Sequence, residues 1–302
     1  MRITRLTQPG VIGRMALLAV ALLLTACGSA GPTAPNATAT ATATATVQPL
    51  PAGPCGDDQP DRYVAEIFDA APIVTTTYTD AQRVDIYRPA GDPSSCRVGV
   101  VWVHGGGFTQ ASRDGSAEQA WGAALARRGY LLASIDYRLG TGEPFGLDQA
   151  QSDPQAAAVV DNAVDDARSA LGWIVDSADD LGVDPKRIAI GGTSAGAMIA
   201  LGAGLTADAR TRPCTIVSVA GDLDPQWVGD APPAVLLIHG DADQLVPYAN
   251  AEDARAALLD KGGTTELVTI PGAGHEITGP PTDDMVVRTA QWLREHAAAG
   301  CT

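Results

Sequence analysis

From about residue 61 onward, two hydrophobic rhythms take turns along the chain. Residues 75–79 and 83–88 alternate apolar and polar positions, which predicts two antiparallel strands. Residues 98–103 are a continuous apolar run, the signature of a strand covered on both faces. Shorter runs at 130–135, 187–190, 215–219, 234–238 and 266–270 predict further strands. Between them lie stretches with helical spacing. In residues 156–178, Val160, Val164, Ala167, Leu171 and Ile174 share one face. Residues 116–128, 195–201, 252–261 and 284–298 predict the other helices. Strands that alternate with helices predict an α/β fold: a mainly parallel central sheet flanked by helices on both faces.

The first 60 residues follow neither rhythm. Arg2, Arg5 and Arg14 form a basic start without acidic residues, and residues 15–24 are a short apolar run. That run is too short to span a bilayer comfortably and predicts an export signal. It ends in Leu24-Thr25-Ala26-Cys27, which resembles the lipobox of bacterial lipoproteins. The resemblance implies a signal peptide over 1–26 and lipid attachment at Cys27, hence an exported chain anchored on the extracytoplasmic side of a membrane. Residues 27–60 are rich in Thr, Ala and Pro, with no large side chain to bury in the strict Thr-Ala alternation of 38–46. They predict a disordered tether ahead of a domain over 61–302.

Charge narrows the partners. The chain has 302 residues and a formal net charge of −15, which disfavours nucleic acid. Apart from Cys27 there are four cysteines, Cys55, Cys96, Cys214 and Cys301. In an exported chain these predict two disulfides, and Cys55–Cys96 with Cys214–Cys301 is the favoured of three pairings. No Cys-x-x-Cys occurs and the histidines do not cluster, so neither a zinc site nor another metal is expected.

The candidate chemistry sits at strand ends. Gly192-Thr193-Ser194-Ala195-Gly196 lies between an apolar run and an Ala-rich helix. A sharp strand-to-helix turn would project the hydroxyl of Ser194 as a nucleophile. His104-Gly105-Gly106-Gly107-Phe108 follows residues 98–103. Its glycines can turn backbone N–H groups toward a developing negative charge, so Gly106, Gly107 and Ala195 are candidate oxyanion donors. His104 is expected to brace this loop. After residues 234–238, Asp241 and Asp243 compete to orient a base, with Asp243 favoured because it lies deeper in the loop. After residues 266–270, His275 is the candidate base and His296, in the last helix, its rival. Phe108, Phe145 and Trp227 are candidate substrate contacts.

The order Ser194, Asp243, His275, together with the His-Gly-Gly-Gly-Phe and Gly-Thr-Ser-Ala-Gly segments, resembles the serine esterases of the α/β-hydrolase superfamily. It is similar to carboxylesterases and hormone-sensitive-lipase-like enzymes over residues 78 to the C-terminus. Asp136-Tyr137-Arg138-Leu139 also resembles a segment of those families, thought structural there. The chain departs from them in carrying its acid in a His-Gly-x-x-Asp segment and in having only a Thr/Ala/Pro tether where they have an N-terminal helical cap, features closer to small feruloyl or acetyl-xylan esterase-like and dipeptidyl-peptidase-like hydrolase domains. The resemblance implies no large cap domain, an open site, no cofactor, and hydrolysis of a small-molecule or carbohydrate ester with small acyl groups. The alternatives are an exported peptidase or amidase of the same fold, and a non-catalytic binding protein.

Overall fold

The computed structural model describes residues 61–301. The expectations for Cys27, Cys55 and the segments before residue 61 fall outside them. Eight strands form one sheet in the order β1-β2-β4-β3-β5-β6-β7-β8. They are β1 (Val74–Thr77), β2 (Arg83–Tyr87), β3 (Arg97–Val103), β4 (Leu131–Ile135), β5 (Val183–Thr193), β6 (Thr215–Val219), β7 (Ala234–Gly240) and β8 (Thr265–Ile270). β1 and β2 pair antiparallel with each other, and β2 pairs antiparallel with β4. All pairings from β4 to β8 are parallel.

Both faces of the sheet are covered, which explains the unbroken apolar run in β3. Val98, Val100 and Trp102 pack into one core with Trp121 and Leu125 of α1 (Ser116–Ala126) and with Trp292 and Leu293 of α7 (Asp283–Ala297). Val101 and Val103 point the other way. They join a core with α3 (Pro154–Asp176), α5 (Ala195–Leu205) and α6 (Tyr248–Asp260). The predicted stripe of α3 is buried throughout. That helix starts where Pro154 presets the backbone and Asp153 accepts a hydrogen bond from the Gln155 N–H at 2.8 Å. Two short helices were not anticipated by the periodicity, α2 (Leu147–Ser152) and α4 (Ala178–Leu181). Residues 220–233, where a cap could be inserted, hold only a 3₁₀ turn at Pro225–Trp227.

Cys214 and Cys301 form the expected disulfide, tying the chain after α7 to the start of β6. Cys96 is also disulfide-bonded. Among the described residues no helix is long and apolar enough to cross a membrane.

At the N-terminal end of β3 a charged cluster is buried. Asp92 accepts from Arg62 at 2.8 and 3.1 Å and from Arg97 Nε at 2.7 Å. Burial alone would raise the pKa of Asp92, but the Arg62 hydrogen bonds and the Arg97 charge outweigh it and hold the carboxyl below its usual range. Tyr63 follows inward, its hydroxyl receiving the Val98 N–H at 3.2 Å. Replacing Asp92 with Ala leaves two buried guanidiniums without their counter-charge. Asp92→Ala is expected to lose about 3–5 kcal/mol of unfolding free energy in a urea titration.

Candidate active site

Four loops at the C-terminal ends of β3, β5, β7 and β8 meet above the sheet. The β5 loop carries Ser194 in a left-handed conformation, φ 52° and ψ −125°, that a non-glycine residue adopts only under constraint. The constraint comes from its flanks. A Cβ on Gly192 would fall 2.5 Å from the carbonyl oxygens of Gly196 and Val103. A Cβ on Gly196 would overlap the carbonyls of Val103 and His104. The turn is therefore squeezed against the end of β3 as well as against itself. The Ser194 N–H is held by the Val219 carbonyl at 2.8 Å.

Ser194 Oγ lies 2.9 Å from Nε2 of His275, and His275 Nδ1 lies 2.7 Å from Oδ2 of Asp243. His275 opens a 3₁₀ turn (His275–Thr278) after β8, and Asp243 sits in the loop after the neighbouring strand β7. Adjacency of β7 and β8 brings the two loops together. Asp243 is buried, and burial would raise its pKa. Hydrogen bonds from His275 and from the Val246 and Leu245 N–H groups, at 3.0 and 2.9 Å, more than offset this and lower it. Its competitor Asp241 points away and accepts the Gly272 N–H at 2.6 Å. His296 packs on Trp292 at 4.0 Å, in the C-terminal helix and outside the cavity. His239 is buried beneath the acid loop, where its Nε2 meets the Val246 carbonyl at 2.8 Å.

The loop after β3 passes beside Ser194. Gly106 and Gly107 have φ of +105° and +55°, and at both a Cβ would strike a neighbouring segment. With Ala195 they line a cavity of about 690 Å³ that also holds Ser194 and His275. His104 braces the loop as expected, its Nδ1 2.7 Å from the Gly105 carbonyl and its ring stacked on Tyr137 at 4.4 Å. The flanking residues are structural. Asp136 binds Arg113 at 2.8 Å, and Arg138 binds Asp166 of α3 at 2.8 Å.

Two of the three aromatic expectations are corrected. Phe145 lines the cavity. Phe108 does not: it is fully buried, with φ 64°, its carbonyl accepting the Gly140 N–H at 2.8 Å and its ring stacked under Phe145 at 5.0 Å. The left-handed backbone turns that side chain down into the core. Trp227 packs against α5 at Gly202 and borders a second groove of about 370 Å³ with Leu147 and Val160. Short helix α2 contributes to both: Asp148 and Gln149 line the site, and Leu147 and Ala150 line the groove.

The order of strands and the placement of the three side chains after β5, β7 and β8 decide the fold. The chain has the α/β-hydrolase fold. Residues 84–226 match the BD-FAE family, and residues 223–299 match the prolyl oligopeptidase family. Lipase 2 of Geotrichum candidum is 30% identical over 143 residues, 46% of this chain and 24% of the lipase. The fumonisin B1 esterase of Sphingopyxis macrogoltabida is 31% identical over 221 residues, 70% of this chain and 38% of that protein. The chain thus spans well under half the length of both relatives. The butyrate-bound esterase Est2 of Thermogutta terrifontis superposes with a TM-score of 0.59 at 21% identity, over 74% of this chain and 92% of Est2.

Two of the cavity residues that sequence reasoning missed stand out. Leu245, two places after Asp243, is 73% exposed at the rim. Glu118, in the first turn of α1, lines the cavity although only 5% of it is exposed. The signal for Glu118 was its place just beyond the glycine loop, but an acid at a helix start reads as an ordinary helix-end preference. Burial, with help from the charge of Asp114, raises its pKa from 4.5 to about 6. The folded protein therefore holds this proton more tightly than the unfolded chain. The stabilisation is full below about pH 4.5 and is lost as pH rises through about 6. Glu118→Gln removes the penalty of ionisation. At pH 8 the variant is expected to gain up to about 2 kcal/mol over the unaltered protein in denaturant unfolding, a gain that disappears near pH 4.

Proposed function

We propose that this protein is a serine esterase that cleaves carboxylic esters of small acyl groups through an acyl-enzyme. The observation that carries the reading is the continuous hydrogen-bonded chain Ser194–His275–Asp243 beside the Gly106–Gly107 loop. Ser194 Oγ attacks the ester carbonyl as His275 Nε2 takes its proton. Asp243 orients the ring and stabilises its charged form. The oxyanion settles on the N–H groups of Gly106, Gly107 and Ala195, each donor contributing about 3–4 kcal/mol to lowering the barrier. The alcohol departs with the proton from His275. Water then gives a proton to His275 and attacks the acyl carbon, the acid leaves, and Ser194 recovers its proton.

The lipase and esterase relatives support an ester substrate, and the butyrate held by a neighbour of the same fold agrees with a short acyl chain. The prolyl oligopeptidase match covers the segment that carries Asp243 and His275, and it favours an amide as the second reading. Hydrolysis of p-nitrophenyl butyrate and of dipeptide p-nitroanilides separates the two. Esters are expected to turn over much faster, Ser194→Ala to lose at least ~10⁴-fold in kcat, and Asp243→Asn to lose about as much. A fluorophosphonate probe is expected to add its mass to the Ser194 peptide. Labelling elsewhere, or unchanged turnover in Ser194→Ala, would overturn the mechanism.

We also infer that the chain works outside the cytoplasm, attached to a membrane by a lipid on Cys27. The basic and apolar start of the sequence, the Leu-Thr-Ala-Cys segment and the Cys214–Cys301 disulfide support this reading. Expressed in a bacterium fed radiolabelled palmitate, the protein is expected to carry label and to sediment with membranes. Cys27→Ala is expected to lose the label.

A further inference from the structure

Glu118 is the one buried acid of the cavity that the hydrolytic steps leave unused. It stands in the first turn of α1 and lines the same wall-to-wall space as Ser194, Gly106 and His275. It has no ion pair and no hydrogen bond to another residue's side chain among the described residues; its carboxyl bonds to its own backbone N–H and lies against Gly115. No lysine or arginine lines the cavity, and Asp148 adds a second acid. Helix-end electrostatics alone do not account for this arrangement. An acid on the solvent face of the first turn would meet the same unpaired N–H groups without losing its hydration. A carboxyl that is 95% covered and lines a cavity keeps acceptor capacity that a molecule in the cavity can use. Gln110, Gln149 and Ser116 lie along the same lining and add neutral groups that both donate and accept. This set suits a hydroxyl, which does both, and the two acids oppose a substrate that is itself anionic.

We propose that Glu118 is a specificity-determining residue whose carboxyl accepts a hydrogen bond from a hydroxyl on the substrate close to the scissile ester. The cavity then prefers hydroxylated esters to plain alkyl esters of the same size, and both to carboxylate-bearing ones. The proposal rests on the ester-hydrolysing reading of the same cavity, and its test is arranged to separate the two.

The full chain is assayed with p-nitrophenyl butyrate, 3-hydroxybutyrate and hemisuccinate. The hydroxylated ester is expected to exceed butyrate by about tenfold in kcat/KM, chiefly through KM, the size of one hydrogen bond to a charged acceptor. Hemisuccinate is expected to trail both. In Glu118→Gln the ratio of hydroxybutyrate to butyrate is expected to fall at least ~3-fold, and in Glu118→Leu to approach one. Equal kcat/KM for the two esters in the unaltered protein, or an unchanged ratio in a folded Glu118 variant, overturns the proposal. A purely structural Glu118 would lower both esters by one factor and leave the ratio alone. The same pair, as ethyl esters, is titrated calorimetrically into Ser194→Ala. If no ester is hydrolysed, the hydrolytic reading fails, yet a tenfold gap in Kd here still upholds the role of Glu118, and equal Kd values refute it.

Discussion

The site depends on one steric constraint, the contact of the Ser194 turn with the end of β3. Gly192 and Gly196 leave no room for a methyl group between that turn and the carbonyls of Val103 and His104. Backbone strain of the kind seen at Ser194 costs on the order of 1–3 kcal/mol and persists only where the surroundings over-determine it. Here the over-determination comes from two parallel neighbours. β3 presses from one side, and β6 holds the Ser194 N–H through Val219 on the other. The same contact places the β3 loop beside the hydroxyl, so Ser194 and the glycine loop are set by a single approach of two strands.

Asp243 and His275 are positioned by the same logic. β7 and β8 are adjacent and parallel, so the residues that follow them emerge side by side. Asp243 is fixed by two backbone N–H groups of its own loop and supported from below by His239. Its charge is therefore stabilised before any substrate arrives, and the His275 ring has one productive partner on each nitrogen.

Much of this was legible in the chain. The strand carrying Ser194, the glycine loop and the Ser-Asp-His order are local patterns tied to strand ends, and the structure brings those residues together. What escaped was set by packing. Phe108 looked like a cavity residue because it follows three glycines, but its own left-handed backbone turns it inward. Trp227 borders a separate groove beyond α2, a six-residue helix with one buried apolar residue and hence no period to read. Glu118 was invisible for the opposite reason. Its local pattern had an adequate explanation, and only the three-dimensional cover reveals that it faces the cavity.

The buried Arg62–Asp92–Arg97 cluster sits where β3 begins, while Ser194 and its partners sit where the parallel strands finish. Tyr63, whose hydroxyl accepts the Val98 N–H, ties the same end of β3 to the start of the described chain. The length of the sheet therefore stands between that ionic cluster and the Ser194 hydroxyl, so a substitution in the cluster bears on the fold at one end of the strands without touching the side chains at the other.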